Sequence, residues 1–255
     1  MVISERKPME EILGFLKGCE KIVLVGCGQC ASACKVGGAP EIEEMTALLE
    51  AEGKKVLGHV MPDSTCNLLL NKKELKSVKE ELKEADAVLS LACGDGTQTI
   101  MKNTKKQNIP VYPANNTMFI GEVERVGKFE EACKACGECE LGWTGGICPV
   151  TMCAKGLVNG ACGGAKNGKC EVSPDNDCAW VLIYERLKEL GQLDNLKEVR
   201  PPKDYSKQLN PRRLDANKKA SAQRRADAAP PEGRRGTHGR GGPPGHARRR
   251  TLEPS

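Results

Sequence analysis

The sequence KIVLVGCGQCASAC, residues 21–34, joins an aliphatic run to a turn that is rich in glycine and cysteine. The aliphatic run is too short for a buried helix and is bounded by glycine, so it predicts a short strand over residues 21–26. Similar runs predict three further strands, at residues 54–61, 86–92 and 109–114. Short, continuous aliphatic runs are typical of strands that are buried on both faces of a sheet.

Amphipathic stretches separate these strands and predict helices at residues 41–53, 72–85 and 97–106. The alternation of strand and helix predicts an α/β fold, a small parallel sheet with flanking helices. A further helix is predicted over residues 4–18, where apolar residues repeat at helical spacing. Another is predicted over residues 178–191, where a strongly apolar run ends at a glycine.

Five cysteines follow the predicted strands directly. Cys27, Cys30 and Cys34 come after the first strand, Cys66 after the second and Cys93 after the third. Because the carboxyl ends of parallel strands share one edge of a sheet, we expect these thiols to be neighbours and to include a metal site of the iron–sulfur or zinc type. The alternative is that they are small buried core residues, which is common for cysteine.

The second group of cysteines lies between Cys133 and Cys178. Cys133, Cys136 and Cys139 form a C-x-x-C-x-x-C run, and Cys148 is followed by a proline. Two-residue spacers let thiolates converge on one centre, and a terminal Cys-Pro is typical of ferredoxin-like ligation. The pattern predicts an iron–sulfur site, with zinc as the competing metal.

A second set of four thiols with longer spacers completes this segment. Eight thiols could hold two [4Fe–4S] clusters, or one cluster and one zinc ion, and the spacing leaves open whether the fourth or the fifth cysteine completes the first centre. The segment is glycine-rich and poor in apolar periodicity, so we expect bound metal to hold it together. The second set is Cys153, Cys162, Cys170 and Cys178.

Composition divides the chain into four parts. We expect an α/β domain with a cysteine-lined sheet edge at residues 1–125, a loop-rich cluster-binding or metal-binding segment at 126–178, a helix and extended segment at 179–215, and a disordered basic tail at 216–255. An RNA-binding role for the Arg- and Gly-rich tail is an alternative to a tail without a specific partner.

Bulk properties exclude several classes of function. The chain has 14 cysteines and no recognisable signal peptide, which predicts a reducing, cytoplasmic location, and no apolar run approaches membrane-spanning length. Eight aromatic residues are too few for a single-stranded nucleic-acid platform. The net charge of +5 comes from the tail, since residues 1–210 carry 27 Lys and Arg against 30 Asp and Glu.

Acid–base or hydrolytic machinery is not visible in the sequence: no nucleophile stands beside a base, and no paired carboxylates stand out. Electron transfer through clusters held by thiolates needs no such groups and is the natural chemistry of this cysteine content.

The motifs GCGQCASAC, LACGDG, GWTGGICPVTMCAKGLVNGACGG, GKCEV and DCAW together resemble the C-terminal domain family associated with methylenetetrahydrofolate reductase. The resemblance covers residues 1–215 and is closest to the separate MetV-type subunit of the acetogen-type enzyme. It does not extend to the tail.

The resemblance implies an accessory subunit that carries iron–sulfur clusters, and zinc in some cases, and does not reduce folate itself. Its partner would be a flavin-containing TIM-barrel subunit that makes 5-methyltetrahydrofolate in the methyl branch of the reductive acetyl-CoA pathway. The flavin would belong to that partner alone, and further electron-transfer subunits could join the complex. A membrane or nucleic acid is not expected as a partner. The alternative is a zinc-stabilised scaffold subunit without a redox role.

Overall fold

The structure is a computed structural model that describes residues 1–218; residues 219–255, which hold most of the predicted basic tail, lie outside the described residues. The chain divides into two units, Met1–Leu209 and a second that begins at Asn210. In the second unit the carboxylate of Asp215 accepts hydrogen bonds from the backbone N–H groups of Asn217 at 3.1 Å and Lys218 at 3.2 Å.

Strands and helices alternate through the first half of the chain. The strands are β1 (Val2–Arg6), β2 (Lys21–Val25), β3 (Lys55–Val60), β4 (Ala87–Ser90), β5 (Val111–Pro113), β6 (Asn115–Arg125) and β7 (Lys128–Cys133). The α-helices are α1 (Met9–Phe15), α2 (Cys30–Ala33), α3 (Ala39–Ala51), α4 (Leu68–Glu74), α5 (Glu81–Glu84), α6 (Gly94–Thr104), α7 (Pro149–Met152) and α8 (Ala179–Glu189). Short 3₁₀ turns cover Lys105–Gln107, Leu193–Leu196 and Tyr205–Gln208.

A four-stranded parallel sheet in the order β3-β2-β4-β5 confirms the predicted α/β architecture. The central strands β2 and β4 pair in register, with Ile22 opposite Ala87 and Leu24 opposite Leu89. The aliphatic residues of both strands are fully buried because helices cover both faces of the sheet, which is why the strands read as continuous apolar runs.

The two faces of the sheet carry separate apolar clusters. One face packs against α1 and α3, and the other packs against α5, α6 and the residues between α4 and α5. The first cluster includes Ile12, Leu16, Met45 and Leu49 with Leu24 and Leu89. The second includes Leu75, Val78, Leu82 and Ile100 with Val23 and Val88.

A second sheet, which the sequence did not predict, is antiparallel in the order β1-β6-β7. The helix predicted over residues 4–18 is wrong in its first part, because Val2–Arg6 is a strand paired with β6 and the helix begins only at Met9. Pro8 explains the boundary, since the residue before a proline is disfavoured in the helical region. The hairpin of β6 and β7 turns at Gly127, whose φ is +79°.

Helix α8 carries a small apolar cluster that the cysteine-rich segment joins. Trp180, Ile183 and Leu187 of α8 are buried, and Ile147 and Cys153 pack against them. The segment therefore has apolar contacts with α8 in addition to its thiols. Among residues 1–218, no helix combines the length and apolar character that a bilayer crossing requires.

Candidate functional site

The cysteines that follow the parallel strands do lie at the carboxyl-terminal edge of the sheet. We call Cys27, Cys30, Cys34, Cys66 and Cys93 the edge thiols. Cys27, Cys34 and Cys93 are buried, Cys30 is partly buried and Cys66 is exposed. Cys27 and Cys34 belong to one apolar cluster, which favours the core alternative for these two.

Burial raises the pKa of two edge thiols. For Cys34, desolvation outweighs the hydrogen bond from the backbone of Ser4, and the neighbouring Cys30 adds to the rise in its pKa. For Cys93, desolvation again dominates and raises the pKa, with a further upward contribution from Cys66. Cys30 with Cys34, and Cys66 with Cys93, are thus electrostatic neighbours, and the buried member of each pair favours the neutral thiol.

The glycines of this edge allow the backbones of neighbouring loops to approach each other closely. A Cβ on Gly28 would stand 3.2 Å from the Cα of Asp63, and a Cβ on Gly37 would stand 2.0 Å from the carbonyl oxygen of Leu91. The hydroxyl of Thr65 donates to the carbonyl of Gly26 at 2.6 Å, which ties the loop after β3 to the end of β2. Close contact between neighbouring loops therefore accounts for the glycines.

Asn115 is a structural residue at the same edge. Its side-chain amide is buried and donates to the carbonyl oxygens of Leu91 at 2.6 Å and Val36 at 3.3 Å. Its Oδ1 is buried with no hydrogen-bond partner among the described residues. The adjacent Asn116 is exposed and accepts from Lys7 at 2.5 Å. Of the two asparagines, the buried one links three loops of the edge.

The C-x-x-C-x-x-C run begins at the end of β7, where Cys133 lies opposite Ile120. The backbone N–H of Ala135 donates to the Cys133 sulfur at 3.2 Å, and Ala135 takes a φ of +50°. Gly137 also has a positive φ, +82°. The backbone therefore curls around the first thiol of the run and presents an N–H group to its sulfur.

Part of the predicted extended segment contacts this run. We call residues 200–207 the basic strap. The backbone N–H of Asp204 and the ammonium of Lys207 reach the Glu138 carboxylate at 2.7 and 2.8 Å, which lowers the pKa of that carboxyl. The Glu140 carboxylate pairs with Arg200 at 2.6 Å and Lys203 at 3.6 Å. Three cations of the strap thus surround the two carboxylates that flank Cys139.

The remaining thiols are held by short loops. Cys148 and Cys153 flank α7, and the thiol of Cys148 contacts the hydroxyl of Thr151 at 3.5 Å. Cys170 and Cys178 lie on chain segments that pair with each other, since the N–H of Cys178 donates to the carbonyl of Gly168 at 2.7 Å.

Cys162 is the exposed thiol whose pKa is lowered. The backbone N–H of Gly164 donates to its sulfur at 3.4 Å and is the main cause, and the ammonium of Lys155 adds to the effect. Lys155 also forms an ion pair with Glu171, whose carboxylate accepts from the Cys162 thiol at 3.5 Å.

The thiols do not converge on a complete ligand set. All fourteen cysteines are free, and among residues 1–218 no three His, Cys, Asp or Glu side chains form a metal-binding group. The donors fit iron–sulfur clusters and zinc chemically, because both bind thiolates and N–H groups already point at two of the sulfurs. The arrangement does not assign which thiols would share a centre.

One comparison with known proteins gives a match. A family model described as methylene-tetrahydrofolate reductase C terminal matches residues 112–206. The matched region runs from β5 into the basic strap and contains all eight cysteines from Cys133 to Cys178, while the edge thiols lie outside it. No curated protein and no solved structure shows significant similarity to the chain.

Proposed function

We propose that the chain is an accessory iron–sulfur subunit of a methylenetetrahydrofolate reductase complex. In this role it would carry electrons to or from the flavin of a partner subunit, the TIM-barrel subunit that makes 5-methyltetrahydrofolate. The observation that carries the proposal is the coincidence of two features in one region. Eight free thiols lie within the residues that resemble the C-terminal part of methylene-tetrahydrofolate reductase.

The ligands in this proposal are the thiols between Cys133 and Cys178. A [4Fe–4S] cluster held there would supply one-electron transfer. The chain's own contribution is to donate N–H groups to the sulfurs of Cys133 and Cys162 and to hold the run with the basic strap. Hydrogen bonds to the ligand sulfurs orient the ligands of a cluster and tune its reduction potential.

The edge thiols are proposed as the ligands of a second centre. Their loops meet at one edge of the sheet, and two pairs of them are neighbours. Cys27 and Cys34 belong to an apolar cluster, whereas Cys93 is buried outside it and Cys30 and Cys66 are more accessible. We therefore propose Cys30, Cys66 and Cys93 as the first of the five to bind a metal.

The division of labour follows from the size of the sheet. The parallel sheet of the described residues has four strands, whereas a (β/α)8 barrel needs eight. The folate-reducing site is therefore assigned to the partner subunit. Further electron-transfer subunits are compatible with a relay role.

Zinc gives the second candidate function, a scaffold subunit without a redox role. Four-thiolate sites suit zinc as well as clusters. The apolar cluster on α8 and the ion pairs of the basic strap support this alternative, because they hold the cysteine-rich segment in a fixed shape, as a scaffold requires.

Metal analysis of the full-length protein, prepared without oxygen, separates the two. We expect iron and acid-labile sulfide in equal amounts, with visible absorption that bleaches on reduction. Cys136→Ser should lower the iron content. Cys19→Ser is the matched control, since Cys19 packs against the core at the opposite end of the sheet and should leave the iron unchanged. Zinc without iron would support the scaffold and contradict the relay.

The relay itself is tested in the complex with the flavin subunit. Rapid mixing with the physiological electron donor should change the cluster spectrum at least as fast as the flavin turns over. Cluster signals that stay constant while the flavin turns over would rule out electron relay even in an iron-containing protein.

A further inference from the structure

A cavity of about 470 Å³ lies between α8 and the chain that follows it. Both tryptophans of the protein, Trp143 and Trp180, line this cavity together with Tyr184. The rest of the wall comes from Thr144 and from residues 158–161 and 195–200. Its volume and aromatic lining match those of small-molecule sites, which are clefts of a few hundred cubic ångströms with mainly apolar walls.

The aromatic walls are fixed in place by the surrounding structure. The indole N–H of Trp180 donates to the carbonyl of Leu157 at 2.9 Å, so its polar group is satisfied and its ring is free to line the cavity. The carbonyl of Trp143 accepts from the side chain of Asn195 at 3.4 Å, and the guanidinium of Arg200 lies over the Trp143 ring, 4.6 Å from its centre. One face of this ring is thus covered by Arg200, and the opposite face remains for a ligand. A ligand would therefore meet a wall that is already ordered, which lowers the entropic cost of binding.

Four apolar side chains that line the cavity are partly or fully exposed among residues 1–218. Trp143 is 39% exposed, Tyr184 is 48% exposed, Leu196 is 41% exposed and Val199 is 97% exposed. A single exposed apolar residue is ordinary on a protein surface, but four that line the same cavity mark a binding site.

The charged groups of the wall are already occupied. Arg200 pairs with Glu140 at 2.6 Å, and Lys197 pairs with Asp194 at 2.6 Å. Glu198 adds a negative charge to the same wall. Recognition through a strong, dedicated anion contact is therefore disfavoured, and the aromatic surfaces are left as the main source of affinity.

We propose that this cavity binds a planar heteroaromatic ring, held by the side chains of Trp143, Trp180 and Tyr184. Flat rings gain affinity by stacking on aromatic side chains, whereas a flexible aliphatic group of equal size gains only burial. The inference goes beyond the proposed function, because it requires neither a metal nor a partner subunit.

Fluorescence provides a specific test, since both tryptophans of the chain line the cavity. The full-length protein is titrated with riboflavin, with flavin mononucleotide and with hexyl phosphate, and calorimetry is run in parallel to correct for light absorption by the flavins. We expect saturable quenching by both flavins and none by hexyl phosphate. The affinities of the two flavins should differ by less than about fivefold, because an added phosphate gains no more than a surface ion pair.

Two substitutions in the cavity and one outside it test whether riboflavin binds at this site. Tyr184→Ala removes a half-exposed wall residue and should weaken riboflavin binding about tenfold. Tyr205→Ala is the matched control, because Tyr205 is also half-exposed but does not line the cavity. The affinity of this variant for riboflavin should equal that of the unmodified protein. Trp143→Leu should weaken binding to a similar extent as Tyr184→Ala.

Three results would overturn the proposal: no saturable binding of riboflavin, hexyl phosphate binding as tightly as riboflavin, or Tyr184→Ala behaving like Tyr205→Ala. Each is measured on protein of known iron and zinc content, because residues 158–161 of the cavity wall lie between Cys153 and Cys162. A failure here is thus distinguishable from a failure of the relay function.

Discussion

The guanidinium of Arg200 meets the carboxylate of Glu140 at 2.6 Å, across 60 residues of chain. The Glu140 side chain is only 5% exposed, and the ammonium of Lys203 approaches it from 3.6 Å. This contact fastens the basic strap to the C-x-x-C-x-x-C run. The geometry of the run therefore depends on residues that follow the last cysteine.

Arg200→Ala should destabilise the protein by about 1–3 kcal/mol, because it leaves a buried carboxylate with a more distant partner. This loss of stability is smaller than that expected for a fully buried ion pair, because the Arg200 side chain is 22% exposed. The free energy of unfolding in urea, followed by far-UV circular dichroism, measures the loss. Arg186→Ala breaks an exposed pair with Glu189 and should change stability by less than about 0.5 kcal/mol. Equal effects of the two substitutions would contradict a structural role for the strap.

Asn115 is predicted to matter through its donor group. Asn115→Ala should cost about 1–3 kcal/mol in unfolding free energy, because the carbonyl of Leu91 loses a buried hydrogen bond. Asn115→Asp should cost more, since a carboxylate would face carbonyl oxygens without a proton to donate. Asn116→Ala, at the exposed neighbour, should stay within about 0.5 kcal/mol. A cost for Asn115→Asp below that of Asn115→Ala would show that the edge relaxes around the charge.

Two glycines should respond to alanine in opposite directions. At Gly37 a Cβ would collide with the carbonyl oxygen of Leu91 at 2.0 Å, and we expect a loss of about 3 kcal/mol. At Gly14 a Cβ would meet nothing within 4 Å and the residue lies in α1, so alanine should stabilise the protein by about 0.5–1 kcal/mol. Thermal unfolding of the two variants, measured side by side, tests both signs. A stable Gly37→Ala protein would mean that the two edge loops can separate at little cost.

Acid should weaken the contact that Asp86 makes at the start of β2. The backbone N–H groups of Lys21 and Glu20 donate to its carboxylate and hold its pKa below the ordinary value of 3.8. A pKa that is lower in the folded state gives a stabilisation that is complete above the unfolded value and is lost as the pH falls through the folded value. The urea midpoint of Asp86→Ala should lie below that of the unmodified protein at neutral pH, and the gap should narrow below about pH 4. A gap that is constant down to strongly acid pH would be inconsistent with this linkage.

The parallel sheet could be predicted because its information is local. Ile22–Val25 forms an uninterrupted apolar run, and such a run identifies a doubly buried strand without knowledge of its neighbours. The position of the edge thiols followed from the same rule, since it needed only the strand ends. The rule did not show which of these thiols pack into apolar core, because the burial of Cys27 and Cys34 depends on Ile3 in the other sheet.

The second sheet and the strap could not be predicted because their partners are distant in sequence. Val2–Arg6 directly precedes a helical apolar pattern that begins at Met9, and its pairing with the distant strand β6 is what makes it a strand. The contacts of Glu138 and Glu140 with the strap are ion pairs, which leave no periodic signal in a sequence. The contacts of α8 with the cysteine-rich segment could not be predicted for a related reason. The apolar residues of that segment are isolated among glycines and form no periodic pattern.

The pairing of β1 with β6 also has a consequence for the order of events during synthesis. Residues 2–6 leave the ribosome long before their pairing partners, residues 115–120. Strand β1 is therefore still unpaired when β2 and β3 can already associate. Contacts of such long sequence separation form slowly. The antiparallel sheet should therefore close late, and the cysteine-rich segment that extends from β7 should acquire its anchor after the parallel sheet has formed.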